Sequence, residues 1–599
     1  MNARRQIKAR GAASAGAAAL AALCATGPSQ ALREPAFDPL LDGALCESPA
    51  AGRPVLLAML AQTETAPFKA AQQPRKMDEA GPPPLYKDLG KLHMSVTTRS
   101  PRAQEYFDQG LRLLFAFNHA EAARAFRAAQ QADPQCAMCH WGEALVLGPN
   151  INAPMFPEAV APAAAAAERA AAAAGSASPV EQALVRAVAK RYAAQPPADR
   201  APLDQAYAAA MTEAARSFPN DDTVQVLFAE SLMDLSPWDY WEAGGASPKG
   251  RTAELVDALE RVLERNPSHP GAIHYYIHAV EASTHPDKAL PYARQLAQQI
   301  PGAGHIVHMP SHIYYRVGLY KEALQSNLDA IAIDEKYFTG AASDAVYKGA
   351  YYPHNIHFAM VSALMGGDGK ATLQATQRLE KSISPELLRA IPPMQPVRAA
   401  PYFAHVQFSS PETLLALPDP GAEFTLLRAM WHYARAVGLA RKGMWAESQQ
   451  QIDAIAAIEQ KADFKPLLDW GVPAPVIAQT ARLVASGKLA EARGELPAAI
   501  KAFTEAVAVQ DTLPYTEPPY WYYPVRQSLG AALLKAGRLD EAEAAFRASF
   551  AKTPSNGWAL RGLVEVYDKR GDKAAAAATR KRFGATWLGP KGGPEMNRL

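Results

Sequence analysis

A spaced pattern of small and aromatic residues constrains this chain more than anything else in it. From Ala103 to Pro134 the sequence reads AQEYFDQGLRLLFAFNHAEAARAFRAAQQADP, with small residues at Gly110, Ala122 and Ala129, an aromatic at Phe126 and a closing proline at Pro134. Small residues at these offsets let two antiparallel helices touch, and the ring fills the gap between them. The offsets return in GELPAAIKAFTEAVAVQD (Gly494, Ala499, Phe503, Ala506) and in LGAALLKAGRLDEAEAAFRASFAKTP (Gly530, Gly537, Ala542, Phe546, Pro554). A looser copy begins at Gly443 and a degenerate one at Arg570. No stretch alternates apolar and polar residues convincingly enough for a sheet.

These offsets are those of the tetratricopeptide repeat (TPR), a helix–turn–helix unit of about 34 residues that buries its apolar faces by stacking on its neighbours. The chain is therefore expected to be all-α, a TPR-type helix–turn–helix solenoid wound into a superhelix. Across 599 residues the expected order is a signal peptide at 1–31 and an irregular Pro/Ala-rich leader at 32–101. A repeat array with a histidine-rich groove follows at 102–366, then degenerate helical repeats at 367–489, C-terminal repeats at 490–585 and a tail at 586–599. The signal reading rests on basic residues, an Ala-rich apolar run and Ser29-Gln30-Ala31 as a small-x-small cleavage site. It predicts a periplasmic or secreted protein. The run is too short and alanine-rich for a membrane span, which takes about 20 strongly apolar residues, so no transmembrane segment is expected. A net charge of +2 gives no argument for a nucleic-acid partner. If Cys24 leaves with the signal, Cys46, Cys136 and Cys139 remain, too few for a disulfide scaffold.

Seven of the fourteen histidines fall between Pro267 and Tyr320. His274, His278 and Glu281 sit at i, i+4 and i+7, and His305, His308 and His312 at i, i+3 and i+7, each set forming one stripe on a helix. Pro267 and Pro301 stand one repeat length apart, so the two stripes lie on the first helices of consecutive repeats, at places that line the concave groove. Counting from Pro219 puts Glu230 on the same groove. His354 and His357 of YYPHNIHF join the stripe if Gly367 is the turn glycine and miss it by one residue if Gly366 is. WDYW, at Trp238 to Trp241, supplies aromatic walls.

Imidazoles at i, i+3 or i, i+4 bring two ring nitrogens to one ion. The expected metal ligands are His274, His278, Glu281, His305, His308, His312, His354 and His357, enough for one ion or two. Copper is favoured for a histidine-rich, thiolate-free set, with iron or zinc as alternatives because a carboxylate is in the set. Glu230 or Glu281 would serve as ligand or base, and Tyr275 and Tyr522 would line the substrate space, in an oxidoreductase. The competing readings are a non-catalytic scaffold whose groove takes a peptide or partner protein, and structural hydrogen bonding alone; in either functional reading the concave groove would take a small-molecule or peptide ligand. HxxxHxxE lacks the glutamate that HExxH places between its histidines, so peptide hydrolysis is disfavoured.

Two further strings stand out. CAMCH, with Cys136, Cys139 and His140, is the c-type haem attachment string. It straddles a repeat joint, where a local disulfide or a pair of thiols is favoured over covalent haem. TEPPYWYYPVRQS, from Thr516 to Ser528, either fills gaps between repeats or folds its rings over the groove.

Together, CAMCHWGEALVLGPNINAP, HMPSHIYYRVG, YYPHNIHF and YTEPPYWYYPVRQSLGAALL resemble a widespread group of bacterial tetratricopeptide proteins, many of them exported. The resemblance spans Tyr106 to Phe583. It implies the fold and the pairing of the histidine strings, and no particular activity.

Overall fold

The computed structural model describes residues 81–193, 197, 199–340 and 347–599. The expected signal peptide, most of the leader, Cys24 and Cys46 lie outside the described residues. Within them the secondary structure is helical, and the β pairing consists of two isolated bridges, Asn150 with Ala153 and Trp241 with Pro248.

Helices pair antiparallel along the chain. Pro101–Phe115 packs on His119–Ala132, Ala137–Val146 on Pro157–Ala173, Pro179–Ala189 on Ala201–Ser217, and Asp222–Met233 on Thr252–Arg265. Three pairs then carry the histidines. The first histidine helix, Pro270–Val280, pairs with Leu290–Gln299. The second runs through Gly304–His308 and Pro310–Arg316 and pairs with Tyr320–Gly340. The third, Tyr352–Gly366, pairs with Gly369–Ser382. Residues 367–489 continue in helices broken by short turns, and three further pairs complete the array, the last being Gly557–Arg570 with Lys573–Thr586.

The glycine–aromatic offsets do in space what their spacing implies. A Cβ on Gly110 would lie 2.7 Å from the Phe126 ring, and one on Gly142, in the next repeat, 2.4 Å from it. Phe126 thus wedges between two first helices that only hydrogen can face. Gly487 against Phe503, at 2.5 Å, and Gly562 against Phe546, at 2.2 Å, repeat the device. Gly367 ends the third histidine helix in the left-handed conformation, at φ 81°, a geometry that favours glycine. That choice of turn glycine sets His354 and His357 on the groove side.

Two packing events position the site. The first repeat reaches the fifth: Phe115 packs so closely on the first histidine helix that a Cβ on Gly271 would lie 2.6 Å from its ring. At the other end, Trp558 Nε1 donates to the Leu364 carbonyl at 3.0 Å, and the Leu588 amide donates to the Gly366 carbonyl at 2.8 Å. Trp587 and Leu588 are therefore packed at the end of the third histidine helix, while Arg598 reaches the Val406 and Ser409 carbonyls. The leader, where described, has no helix but is pinned, with the Tyr86 amide on Gln109 and the Gly302 amide on the Asp88 carbonyl. Among the described residues no helix is long and apolar enough to cross a membrane.

Candidate metal centre

Six histidines gather into two triads with converging ring nitrogens: His274, His278 and His305 in one, and His308, His312 and His354 in the other. The triads are neighbours. The His278 and His312 ring centres are 5.4 Å apart, and those of His305 and His308 are 5.7 Å apart. All six side chains are buried.

In the first triad the hydrogen-bond partners fix which nitrogens are bare. His274 Nδ1 faces the Phe115 carbonyl at 2.6 Å and His278 Nδ1 faces Glu281 Oε1 at 2.9 Å. Both partners only accept, so both Nδ1 atoms carry the proton and both Nε2 atoms present lone pairs. Those two Nε2 atoms point at each other across 3.2 Å, with His305 Nε2 3.2 Å from His274 Nε2. Burial and the neighbouring imidazoles hold His274 and His305 well below the ordinary histidine range. Burial also lowers His278 in spite of Glu281. The facing lone pairs of His274 and His278 are compatible with a cation between them. With metal–nitrogen bonds of about 2.0–2.1 Å, nitrogens 3.2 Å apart subtend about 100° at one ion, within the range of a three-imidazole site.

The second triad is built the same way. His308 Nδ1 lies 2.6 Å from Asn327 Oδ1, and the amide is oriented by its own bond, Nδ2 to the Ala323 carbonyl at 2.7 Å. His308 Nε2 is therefore bare, and it faces His312 Nε2 at 2.7 Å. His312 Nδ1 lies 2.8 Å from Glu281 Oε2 and also touches Glu517 Oε2. Burial pushes His312 down, but Glu517 and Glu281 outweigh it and hold the ring up at about 10. Without an ion, an imidazolium proton fills the gap to His308, where a metal would take its place. Burial and the charges of His308 and His312 keep His354 well below the usual histidine range.

Glu281 ties the triads together. Its two oxygens hold His278 and His312, one histidine from each triad, and Tyr515 OH donates to it at 2.9 Å. Burial alone would raise this carboxyl; the charge on His312 and the bonds from Glu517, His278 and His312 outweigh it and keep Glu281 ionised. Burial and the Glu281 charge push Glu517 well up, so it keeps its proton. His278, Glu281, His312 and Glu517 form a third convergent set, but one closed by its own hydrogen bonds.

Rings wall the centre on both sides. Phe117 stacks on His305 with centroids 5.3 Å apart, and Trp238 meets His278 edge-on at 4.8 Å. Both have positive φ, 54° and 65°, a strained state that surrounding structure must hold in place. The Trp238 indole donates to Asn152, whose amide reaches Tyr351 OH at 3.1 Å, and Tyr351 packs edge-on to His305. Phe358 floors the second triad, 4.7 Å from His312 and 5.2 Å from His308 and His354.

Other expected residues stand elsewhere. His357 belongs to neither triad: its Nε2 lies 2.6 Å from Tyr522 OH, because one turn of helix carries it past His354 toward the 515–523 segment. Glu281, expected as a ligand or base, converges with His278, His312 and Glu517 and is bonded to both of those histidines. Glu230 meets no histidine but pairs with buried Arg191, 3.8 Å away and bonded also to Asp234, since the intervening Tyr275 fills the space toward His274. Tyr275 itself is stacked on His274 and packed against Phe117, so it lines the centre's wall without facing an open space. Cys136 and Cys139 are joined in a buried disulfide at a helix start. His140 bonds the Pro134 carbonyl and accepts from Arg169, so the CAMCH residues are committed to one another and to the repeat joint.

Sequence spacing missed Phe115, Asn327, Glu517 and Phe358. Phe115, Asn327 and Glu517 come from outside the histidine strings, Phe115 through its backbone carbonyl, for which no side-chain pattern exists, while Phe358 closes YYPHNIHF. Glu517 stood within a string singled out for its rings alone.

No protein-family profile matches the chain, and no curated protein does. Among solved structures it is similar to the TPR domain of P58(IPK), with 12% identity over 79% of this chain and 99% of that one, at a TM-score of 0.20. It is also similar to Naa15/Naa10 bound to HypK-THB, with 13% identity over 82% and 84% and a TM-score of 0.24. The Cut9–Hcn1 heterotetramer of the APC/C matches at 12% identity over 81% and 87%, with a TM-score of 0.25. The chain is an all-α TPR-type solenoid, and its histidine clusters are compatible with metal binding.

Proposed function

We propose that this is an exported metalloprotein with a dinuclear centre, copper-favoured, acting as a metal-dependent oxidoreductase. The observation that carries the reading is the pair of triads with converging ring nitrogens, in which His274, His278, His308 and His312 have Nδ1 tied to partners outside and Nε2 turned inward. Ligating histidines use such outer partners to fix their tautomer and orientation. Glu281 and Glu517 sit behind the rings, so each triad offers three imidazoles, His312 giving up its proton when an ion binds, a set that suits copper better than the carboxylate-bearing sites typical of iron or magnesium.

Two ions so held would supply electron-pair chemistry toward a small oxidant at their open positions. The chain's own part is to hold the six imidazoles, to keep Glu281 ionised between them and to wall the centre from bulk water with Phe117, Trp238 and Phe358. A peptide in the groove is the weaker alternative, because the 515–523 segment already lies there, with Tyr515 on Glu281 and Tyr522 on His357.

Electron paramagnetic resonance on copper-loaded protein tests the proposal. A coupled cupric pair gives a signal integrating to far less than the copper content, and His354→Ala, which breaks one triad, restores the signal of an isolated ion. Full signal from the unaltered protein would contradict a paired centre.

A further inference from the structure

A cavity of about 50 Å³ leads to the second triad from outside. Its rim is half-buried Pro396, Thr516, Pro519 and Tyr520, and its inner end is His354, His357, Glu517 and Tyr522, all buried. Between them the walls are Pro393, Met394, Val397, Val472 and Pro518, apolar side chains that offer a solute no hydrogen bond. The inner end touches the centre directly, because His354 is a member of the triad and Glu517 contacts His312.

Size decides what such a passage admits. An apolar cavity of about 150 Å³ takes up benzene or xenon, and a space a third of that holds a xenon atom or a diatomic molecule but no aromatic ring. Its apolar lining selects further: water entering it would give up hydrogen bonds that the walls cannot return, a cost that an apolar gas does not bear. Proline supplies four of the lining residues named above, and its fixed backbone resists widening of the passage.

We infer that this cavity is the access path for dioxygen to the second triad and that it excludes ring-sized organic molecules, an inference that rests on the dinuclear oxidoreductase reading. Any organic reductant must then deliver its electrons from another face. Tyr515 is the candidate contact there, since it is partly exposed and hydrogen-bonded to Glu281.

The experiment is xenon binding to the full chain, with and without copper, read by crystallography under xenon pressure and by ¹²⁹Xe NMR. One xenon should sit between Met394, Val397 and Pro518 in both forms, while benzene should leave the unfolding temperature unchanged. Val397→Trp and, separately, Val472→Phe should abolish xenon binding. In copper-loaded, chemically reduced protein either variant should slow reoxidation by dioxygen at least tenfold at unchanged copper content. Absence of xenon from the cavity, uptake of benzene, or unaltered reoxidation in a xenon-free variant would each overturn the path. Xenon bound in a protein that takes up no metal would overturn the centre, and the dioxygen path with it, while leaving a gas-sized cavity.

Discussion

Glu281 bonds one histidine from each triad, at Nδ1 of His278 and Nδ1 of His312. Glu281→Gln cannot accept from both Nδ1–H groups as a charged carboxylate does, so it should weaken both ions, each by about 10- to 100-fold, with the helices intact. Asn327→Leu, which leaves His308 without its acceptor, should weaken only the second ion by a similar factor; competition titration with a chelator reads both. Asp334 gives a pH prediction away from the ligands. Burial pushes it up to about 7 against its bonds from Tyr347 and Asn355. A carboxyl raised on folding binds more protons folded than unfolded, so its contribution to stability falls as pH climbs from about 4 to about 7. Between pH 5 and pH 8 the native protein should lose about 2–3 kcal/mol more stability than Asp334→Asn in chemical denaturation; equal slopes would show that the burial is relieved by water. At this scale the sequence was informative about the histidine stripes and silent about their outer partners. Periodicity marks which side chains share a helix face, but the partner of His274 is a carbonyl 159 residues away and that of His308 lies on another helix.

Among the elements, the second histidine helix shows how local chemistry and site are joined. Pro310 has no amide to give, and the helix divides at Met309, between His308 and His312, although both residues keep the stripe. Before the third histidine helix, Tyr347–Tyr351 forms one π-helical turn, a variation frequent at functional sites. It sets Tyr347 OH to accept the His305 amide and donate to Asp334, and sets Tyr351 against the His305 ring. No periodic pattern announces such a turn. The glycine–aromatic pairs, by contrast, were legible, because a repeat that must stack leaves the same small and large residues at each joint. Gly142→Ala tests them: its Cβ would meet the Phe126 ring at 2.4 Å, and the overpacking should cost about 1–3 kcal/mol in denaturant unfolding, with metal affinity unchanged.

For the whole molecule, the centre ties together parts of the chain that a linear array would keep apart. Phe115 and Phe117 come from the first repeat, the six imidazoles from three central repeats, and Tyr515 and Glu517 from the far end. An ion bound only by the folded array adds about 4 kcal/mol at a thousandfold excess over Kd. Amide exchange should therefore slow in the three histidine helices, and also at residues 115–118 and 515–523. Protection confined to the helices would mean that the end segments pack independently of the centre. The fold class followed from the repeat, which concerns nearest neighbours alone. The return of the 515–523 segment onto the groove depends on how many small rotations between repeats add up, and no single repeat encodes that sum. Metal content decides the central claim most directly. Protein purified without a histidine tag, loaded with copper and dialysed, should hold about two ions per chain, with about one in His274→Ala, about one in His354→Ala and none in the double variant. A load below roughly 0.3 ion per chain, or one that the double variant retains in full, would mean that the two triads are not a metal centre.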